Sequence, residues 1–265
     1  MQNYKENCSI SDSNSVMEIA IISVLGEREG QQDCFGYELR ADEGLIVVCD
    51  GMGGHQGGQR ASQTAVKLFL EKYAGYLQKE DALGFLLEAT KEANEAVCNL
   101  QDTEGNQLNA GSTVVSVIVR DNHLCWSSVG DSRAYLHRKG EFVQITQDHN
   151  YKTVLDEKKS LGMITQEEYE TEIVKGEALI SFLGVGRINL VDHNNEALML
   201  IPEDMIVIMS DGLYKLVSDE EIQRIIENFS NITEALQALD MKAKKNSRNR
   251  EAVRDNMTIA IVKMK

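Results

Sequence analysis

Short apolar runs recur along the chain and predict β-strands. They are rich in Val and Ile and are bounded by Gly, Asp or Asn, a composition that fits buried strands better than helices. The runs cover residues 19–25, 45–49, 113–119, 124–129, 197–201, 205–209 and 258–262. Between the fifth and sixth runs, Pro202-Glu203-Asp204 has the composition of a hairpin turn. We therefore predict that these two strands are antiparallel neighbours.

Longer segments of the chain repeat their apolar positions with the helical period of 3.6 residues. We predict helices over residues 58–77, 82–100, 219–229 and 232–244. Ser218 is the expected N-cap of the third helix, and acidic residues fill its first turn. Strands and helices cluster without strict alternation, which predicts an α+β fold with helices covering the outer faces of antiparallel sheets.

Two polar segments differ from this pattern. Residues 1–15 lack an apolar stretch, so we predict a disordered tail over residues 1–16 and one domain over residues 17–265. Residues 151–176 are polar, charged and weakly periodic, which is typical of a mobile insertion near a functional site. The chain has one proline and no Pro- or Ser-rich linker, which favours a single domain.

The composition narrows the possible partners and the cellular location. The chain has 42 acidic and 27 basic residues and a net charge of −15, which argues against nucleic-acid binding. No run of 18 apolar residues occurs, so no membrane span is expected. Five cysteines without a CxxC pair indicate a reducing compartment, and we expect a cytoplasmic protein.

Aspartates stand at the ends of several predicted strands. Asp50, Asp131 and Asp211 each follow an apolar run, Asp255 opens the last strand, and Asp33 precedes the second. A carboxylate in an apolar setting costs free energy unless it is paired or binds a metal. Aspartate oxygens suit Mg²⁺ and Mn²⁺, and a pair of such ions can activate water for attack on phosphorus. We therefore predict that these side chains converge on a metal site.

Glycines and an arginine accompany these aspartates. Glycine follows both Asp50 and Asp211, and a missing side chain at Gly51 would let its carbonyl turn towards a metal. Arg28 offers a planar fork that matches two phosphate oxygens. The glycine-rich residues 51–58 lack the Gly-Lys-Ser/Thr ending of a nucleotide P-loop, so ATP binding is not supported.

Six motifs occur in an order that resembles the bacterial branch of the type 2C (PPM) metal-dependent protein phosphatases. They are Asp50-Gly51-Met52-Gly53-Gly54-His55, Gly111-Ser112-Thr113, Val129-Gly130-Asp131-Ser132-Arg133, Thr146-Gln147-Asp148-His149, Ser210-Asp211-Gly212-Leu213 and Asp255-Asn256-Met257-Thr258. The resemblance covers residues 19–262. It implies a four-layer αββα sandwich with two Mn²⁺ or Mg²⁺ ions at one edge.

The resemblance also implies roles for single residues. Asp50 would bridge the two ions, and Gly51 would contribute its carbonyl oxygen. Asp211 and Asp255 would hold one ion, and Asp33 would support the other. These assignments come from the matching motifs alone.

Further roles follow from the same motifs. Asp131 matches the residue that, with Asp211, binds a third and weaker ion in bacterial members. Arg28 matches the phosphate-binding arginine, and residues 151–186 fall where the family has a variable flap. His55 is expected to hold its glycine-rich turn by hydrogen bonding.

Three positions depart from the family pattern. Gln31-Gln32-Asp33 replaces the more common Asn-Glu-Asp or Asn-Gln-Asp, which bears on the surroundings of the second ion. Met52 stands where eukaryotic members have a histidine proposed as general acid, so a coordinated water is the expected proton donor. Residues 178–184 lack the usual flap arginine, which bears on substrate choice.

The resemblance implies a protein serine/threonine phosphatase that hydrolyses phosphoserine and phosphothreonine in one step with activated water. We expect a monomer that opposes a serine/threonine kinase. A regulatory binding module of the same fold is one alternative, although such proteins typically lose a metal aspartate or the arginine. A metal-dependent nuclease is another, but a chain of net charge −15 offers no basic track to DNA.

Overall fold

The computed structural model describes residues 7–54, 56–77 and 81–265, and two antiparallel β-sheets organise them. The first, sheet I, contains β1 (Asn7–Ser13), β2 (Met17–Val24), β8 (Arg133–Arg138), β9 (Glu141–Gln144), β12 (Met205–Met209) and β13 (Met257–Met264). Their order is β1-β2-β13-β12-β8-β9. Strands from the beginning and end of the chain therefore meet in the middle of sheet I.

The second sheet, sheet II, contains β3 (Asp33–Leu39), β4 (Glu43–Gly53), β5 (Ala110–Ser112), β6 (Val114–Arg120), β7 (His123–Val129), β10 (Asp192–His193) and β11 (Leu198–Met199). Its main path is β10-β7-β6-β4-β3. The short strands β11 and β5 pair with β7 and β4, respectively. The central strands β4 and β6 match predicted apolar runs.

Helices cover both outer faces of the sheets. Their bounds are α1 Gly57–Gly75, α2 Ala82–Cys98, α3 Tyr151–Ser160, α4 Gln166–Glu172, α5 Asp211–Tyr214, α6 Asp219–Asn228 and α7 Ile232–Arg250, with a 3₁₀ turn at Ile173–Lys175. Helices α1 and α2 pack on sheet II, and α7 packs on sheet I with α6 beside it. The predicted αββα sandwich is confirmed.

The central strands of both sheets are buried on both faces. In β2, Ile19 and Ile21 belong to the core between the sheets, whereas Ala20 and Ile22 belong to the core under α6 and α7. A strand buried on both faces needs apolar residues at successive positions instead of alternate ones. This explains why the apolar runs are continuous, and why they predicted the central strands.

The predicted disordered tail is wrong for Asn7–Ser13. These residues form β1 and pair with β2 along its whole length, for example Ser9 with Ile22. The segment escaped prediction because β1 is an edge strand whose side chains are largely exposed, so it needs no apolar run. Residues 1–6 of the predicted tail and His55 lie outside the described residues.

The predicted hairpin at residues 202–204 is also wrong. β11 pairs with β7 in sheet II, whereas β12 pairs with β8 and β13 in sheet I. The turn therefore carries the chain from one sheet to the other. Buried Asp204 closes it, because its carboxylate accepts hydrogen bonds from the Ile201 amide at 2.8 Å and from Arg138 at 2.6 Å.

The predicted insertion at residues 151–176 contains regular structure. It forms α3, α4 and the 3₁₀ turn. The weak periodicity has a physical cause: Leu155 is the buried residue of α3, and α4 has none among its described residues. Thr165 and Glu168 form a capping box that starts α4 without apolar packing. Mobility of this segment stays a prediction.

No helix in the described ranges is long and apolar enough to cross a lipid bilayer.

Candidate active site

The predicted site residues meet at one edge of the sandwich. A pocket of about 410 Å³ is lined by six of them, namely Arg28, Asp50, Gly51, Asp131, Asp211 and Asp255. Asp33, the seventh, pairs in register with Asp50 across β3 and β4. Asp211 follows β12 and Asp255 precedes β13, its antiparallel neighbour. Both sheets therefore contribute carboxylates to the same edge.

Asp33 joins the two sheets beneath this pocket. Its Oδ2 accepts a hydrogen bond from Ser210 Oγ at 2.7 Å, and Ser210 directly precedes Asp211 in sheet I. Its Oδ1 is buried and has no hydrogen-bond partner among the described residues. Burial raises the pKa of Asp33 to about 7, and the charges of Asp211 and Asp255 act in the same direction. A buried carboxylate oxygen without a donor suits a cation.

Burial, together with mutual repulsion, raises the pKa values of the carboxylates in the pocket. Loss of hydration raises the pKa of Asp50 well above its usual value, and the charge of Asp33 raises it further. Burial and the charge of Asp211 raise the pKa of Asp131 to about 6. Divalent cations would remove the repulsion that raises these pKa values. The donor set therefore fits hard metal ions such as Mg²⁺ and Mn²⁺.

Two basic side chains balance part of this negative charge. Arg28 Nη2 lies 2.5 Å from Asp255 Oδ2, and Lys215 Nζ lies 2.6 Å from Asp211 Oδ2. As the side chains stand, no group of three His, Cys, Asp or Glu in the described part of the chain forms a closed coordination shell. Ion binding at this edge therefore requires side chains of the pocket to rearrange.

Sequence reasoning missed Lys215 and its second acidic partner. Lys215 Nζ also lies 3.1 Å from Glu177 Oε2, which belongs to the predicted flap. Both residues line the pocket. The signal for Lys215 was its place four residues after Asp211, since such residues face each other on a helical turn. The sequence carried no comparable signal for Glu177.

Close packing explains the glycines that follow two of the aspartates. A Cβ atom at Gly51 would lie 2.0 Å from the carbonyl oxygen of Gly58, at the start of α1. A Cβ atom at Gly212 would lie 2.0 Å from the carbonyl oxygen of Asn256. Glycine is therefore required at both positions by neighbouring backbone. Whether the Gly51 carbonyl binds a metal stays a prediction.

Hydrogen bonds from neighbouring motifs fix the backbone of Asp50. The Asp50 amide donates to Thr113 Oγ1 at 2.9 Å, and the Thr113 amide donates to the Asp50 carbonyl at 2.8 Å. Ser112 Oγ also donates to that carbonyl, at 3.0 Å. The Gly-Ser-Thr motif thus positions Asp50, a role that its sequence alone did not reveal.

Asp131 is held from two sides. Its backbone carbonyl accepts a hydrogen bond from Tyr214 OH at 3.1 Å. Gly130, with φ of +104°, precedes it and exchanges two hydrogen bonds with His149, at 3.2 Å and 2.9 Å. Burial lowers the pKa of His149, which favours the neutral ring that accepts from the Gly130 amide. His149 is therefore a structural residue that holds the backbone of Gly130, directly before Asp131.

The flap forms one wall of the pocket. Glu177, Leu179 and Phe182 contribute to its lining. The end of the flap is attached to β5, because Ser112 and Leu183 exchange backbone hydrogen bonds at 3.0 Å and 2.8 Å. The flap therefore places an acidic residue and two apolar residues beside the carboxylates.

Comparison with known proteins identifies the family of this chain. Residues 25–246 match the family model described as Protein phosphatase 2C. The serine/threonine phosphatase stp of Listeria monocytogenes is 27% identical over 229 residues, which span 85% of this chain and 86% of that protein. The chain is therefore similar to this relative along nearly all of its length.

Solved structures agree with the sequence matches. The serine/threonine phosphatase of S. agalactiae superposes with a TM-score of 0.80 at 25% identity, covering 94% of this chain and 100% of that chain. The catalytic domain of the serine/threonine protein phosphatase PstP, solved with two manganese ions, has a TM-score of 0.74 at 27% identity. Its match covers 94% of this chain and 98% of that chain.

These findings confirm the predicted resemblance, and with it the prediction of a metal-dependent protein phosphatase that acts on phosphorylated proteins. The fold, the pocket of aspartates and the family model all lead to the same assignment. This chain belongs to the protein phosphatase 2C family.

Proposed function

We propose that this chain hydrolyses phosphoserine and phosphothreonine esters of proteins in the pocket between its two sheets. The observation that carries the proposal is the convergence of Arg28 with the aspartates of both sheets around one space of about 410 Å³. A phosphate group brings negative charge, which the carboxylates alone would repel. The proposal therefore requires both bound cations and the guanidinium.

Two Mn²⁺ or Mg²⁺ ions are the proposed cofactors. When bound, such ions lower the pKa of coordinated water and offset the charge of the phosphate. Asp50 would serve both ions, the Gly51 carbonyl would be a further ligand, Asp211 and Asp255 would hold one ion, and Asp33 would support the other. The orphaned oxygen of Asp33 and the raised pKa of Asp50 support this assignment.

Water is the proposed nucleophile because the described lining offers no free hydroxyl or thiol, and its carboxylates are assigned to the metal ions. Among the described residues that line the pocket, the hydroxyl belongs to Thr113, which is engaged by the Asp50 amide and by Ser132 Oγ. Cys34 and Cys49 are buried behind the lining, and burial raises the pKa of both thiols, which disfavours the thiolate. In the reaction, a water oxygen bonds to phosphorus, the bond to the seryl or threonyl oxygen breaks, and that oxygen gains a proton.

Arg28 is the proposed phosphate-binding residue. Its side chain lines the pocket, is 53% exposed and forms an ion pair with Asp255. When Asp255 binds an ion, the guanidinium is therefore released to bind the substrate. We expect Arg28→Ala to lower kcat/KM for a phosphopeptide by roughly 10²-fold, since a bidentate charged contact to the transferring phosphoryl group is lost. Arg28→Lys should restore only part of this loss, because an ammonium lacks the planar fork.

Steady-state kinetics with a phosphothreonine peptide measures the effect. Arg248→Ala is the matched control, because Arg248 is exposed on α7, away from the pocket lining. It should keep wild-type kcat/KM. Equal activities of the Arg28 and Arg248 variants would remove Arg28 from the proposed site.

The function itself is tested by metal-dependent hydrolysis. We expect purified protein to hydrolyse p-nitrophenyl phosphate and a phosphothreonine peptide with added Mn²⁺, and to lose both activities in excess EDTA. Single-stranded DNA should not be cleaved, since the chain has a net charge of −15. Binding of a phosphopeptide without chelator-sensitive hydrolysis would instead identify a regulatory binding module.

The finer predictions about partners belong to the same proposal. We propose that the substrates are shared with a serine/threonine kinase whose action this chain reverses, and that the chain acts as a monomer in the cytoplasm. Support for phosphoprotein substrates comes from the family and from relatives described as serine/threonine phosphatases.

A further inference from the structure

Lys215 lies beside the carboxylates that the resemblance assigns to a third ion. Its Nζ is 2.6 Å from Asp211 Oδ2, and it lines the same pocket as Asp131. Asp131 and Asp211 are the pair that would hold the third, weaker ion. An ammonium group therefore occupies one carboxylate oxygen of that pair, inside the pocket that would have to admit the ion.

Two independent contacts hold Lys215 in this position. It comes four residues after Asp211, and its amide donates to the Asp211 carbonyl at 3.1 Å, so the helical turn of α5 directs both side chains to the same face. From the other side, Glu177 of the flap lies 3.1 Å from Nζ. If Asp211 turns to bind an ion, Glu177 still holds the ammonium at the pocket.

Arg28 differs from Lys215 in this respect. Within the described ranges its one acidic contact is Asp255, at 2.5 Å. Binding of an ion by Asp255 would therefore release Arg28, whereas Lys215 would stay attached to Glu177. Of the two basic residues, Lys215 is therefore the one that a second ion pair keeps next to the carboxylates.

The charge of Lys215 also acts on Asp131. Burial and the charge of Asp211 raise the pKa of Asp131 to about 6, and the charge of Lys215 opposes this rise. The ammonium thus supplies positive charge to both carboxylates of the pair. A divalent ion at the same place would be repelled by the ammonium at short range.

We infer that Lys215 takes the place of the third ion at Asp131 and Asp211, so that this catalytic centre contains two divalent cations and a lysine. The inference rests on the proposed function, because it requires the other carboxylates to hold two ions. Lys215 acts here as a positioning residue that places one positive charge in contact with Asp211 and within electrostatic reach of Asp131. It also links them to the flap through Glu177.

Manganese binding to the purified protein tests the inference without reference to turnover. Isothermal titration with MnCl₂ is expected to give two ions per chain for the wild type. Lys215→Gln and Lys215→Met should each bind three, the third at least tenfold more weakly than the others. Lys215→Arg should remain at two, because it keeps a positive charge at the same place.

A double variant shows where the extra ion binds. Asp131→Asn in the Lys215→Gln background should return the stoichiometry to two, because the new site loses one of its two carboxylates. Three ions in the wild type, two ions in both Lys215→Gln and Lys215→Met, or three in the double variant would each overturn the inference. Fewer than two ions in the wild type would instead overturn the proposed two-metal centre.

Discussion

Asp50→Asn is expected to lower Mn²⁺-dependent hydrolysis of a phosphopeptide by roughly 10³-fold or more, since an amide cannot supply the charge that the two proposed cations would share. The same change should stabilise the metal-free protein. Asp50 faces the charges of Asp33, Asp211 and Asp131, and its own charge is poorly hydrated. Removing it relieves repulsion without changing the size of the side chain. Loss of activity should therefore accompany a higher melting temperature in EDTA.

Phosphatase assays at saturating Mn²⁺ and thermal melts in EDTA measure the two effects. Asp121→Asn is the matched control, because Asp121 is exposed in the turn between β6 and β7 with φ of 50°, a conformation that asparagine accepts. It should change neither quantity. Residual activity of Asp50→Asn within tenfold of wild type would show that Asp50 does not hold the ions.

In the absence of metal, the protein is expected to become less stable as pH rises from about 5 to about 8. Folding raises the pKa of Asp33 from 3.8 to about 7 and that of Asp131 from 3.8 to about 6. Between the unfolded and folded pKa values the native state binds more protons than the unfolded chain, so stability falls with increasing pH. We expect the melting temperature in EDTA to drop by roughly 5–10 °C over this range, which corresponds to a few kcal/mol for a chain of this size.

Added Mn²⁺ should reverse this trend, because ionised carboxylates bind the metal and protonated ones do not. The rise in melting temperature on adding Mn²⁺ should therefore be larger at pH 8 than at pH 5. Differential scanning calorimetry in matched buffers measures both trends. Asp33→Asn separates the effect from the general repulsion of a chain with net charge −15, since it removes one buried titrating group. An unchanged slope in Asp33→Asn would contradict the role given to Asp33.

The sequence predicted the parts of the fold that depend on burial. The central strands β4, β6, β12 and β13 were visible because both of their faces are covered, which demands continuous apolar runs. The edge strands β1, β3, β9 and β10 were not predicted. β1, for example, is stabilised by backbone pairing with β2 while its side chains face solvent.

The error at residues 202–204 has a different origin. A short polar turn between two apolar runs has the same composition whether the chain stays in one sheet or crosses to the other. What decides between them is the partner of each strand, and β11 and β12 find theirs in different sheets. Pairing of this kind depends on residues far along the chain, which local composition does not encode.

The gathering of the candidate site residues at one edge was predicted better than the topology. Asp50, Asp211 and Asp255 stood out because acidic residues at the ends of apolar strands need a chemical reason. Lys215 and Glu177 did not stand out, since charged residues in polar segments are common. Only the structure shows that both residues line the pocket and that Glu177 of the flap lies 3.1 Å from Lys215.

The position of β13 has a consequence for synthesis of the protein. β13 lies between β2 and β12, and its Ile259 pairs with Ile22, which is 237 residues earlier in the chain. Until residues 257–264 have left the ribosome, β2 and β12 have no partner between them, and Asp255 has no strand to hold it at the pocket. A nascent chain that stops short of β13 lacks an interior strand of sheet I, so we expect the newly made phosphatase to become active only after translation has passed residue 264.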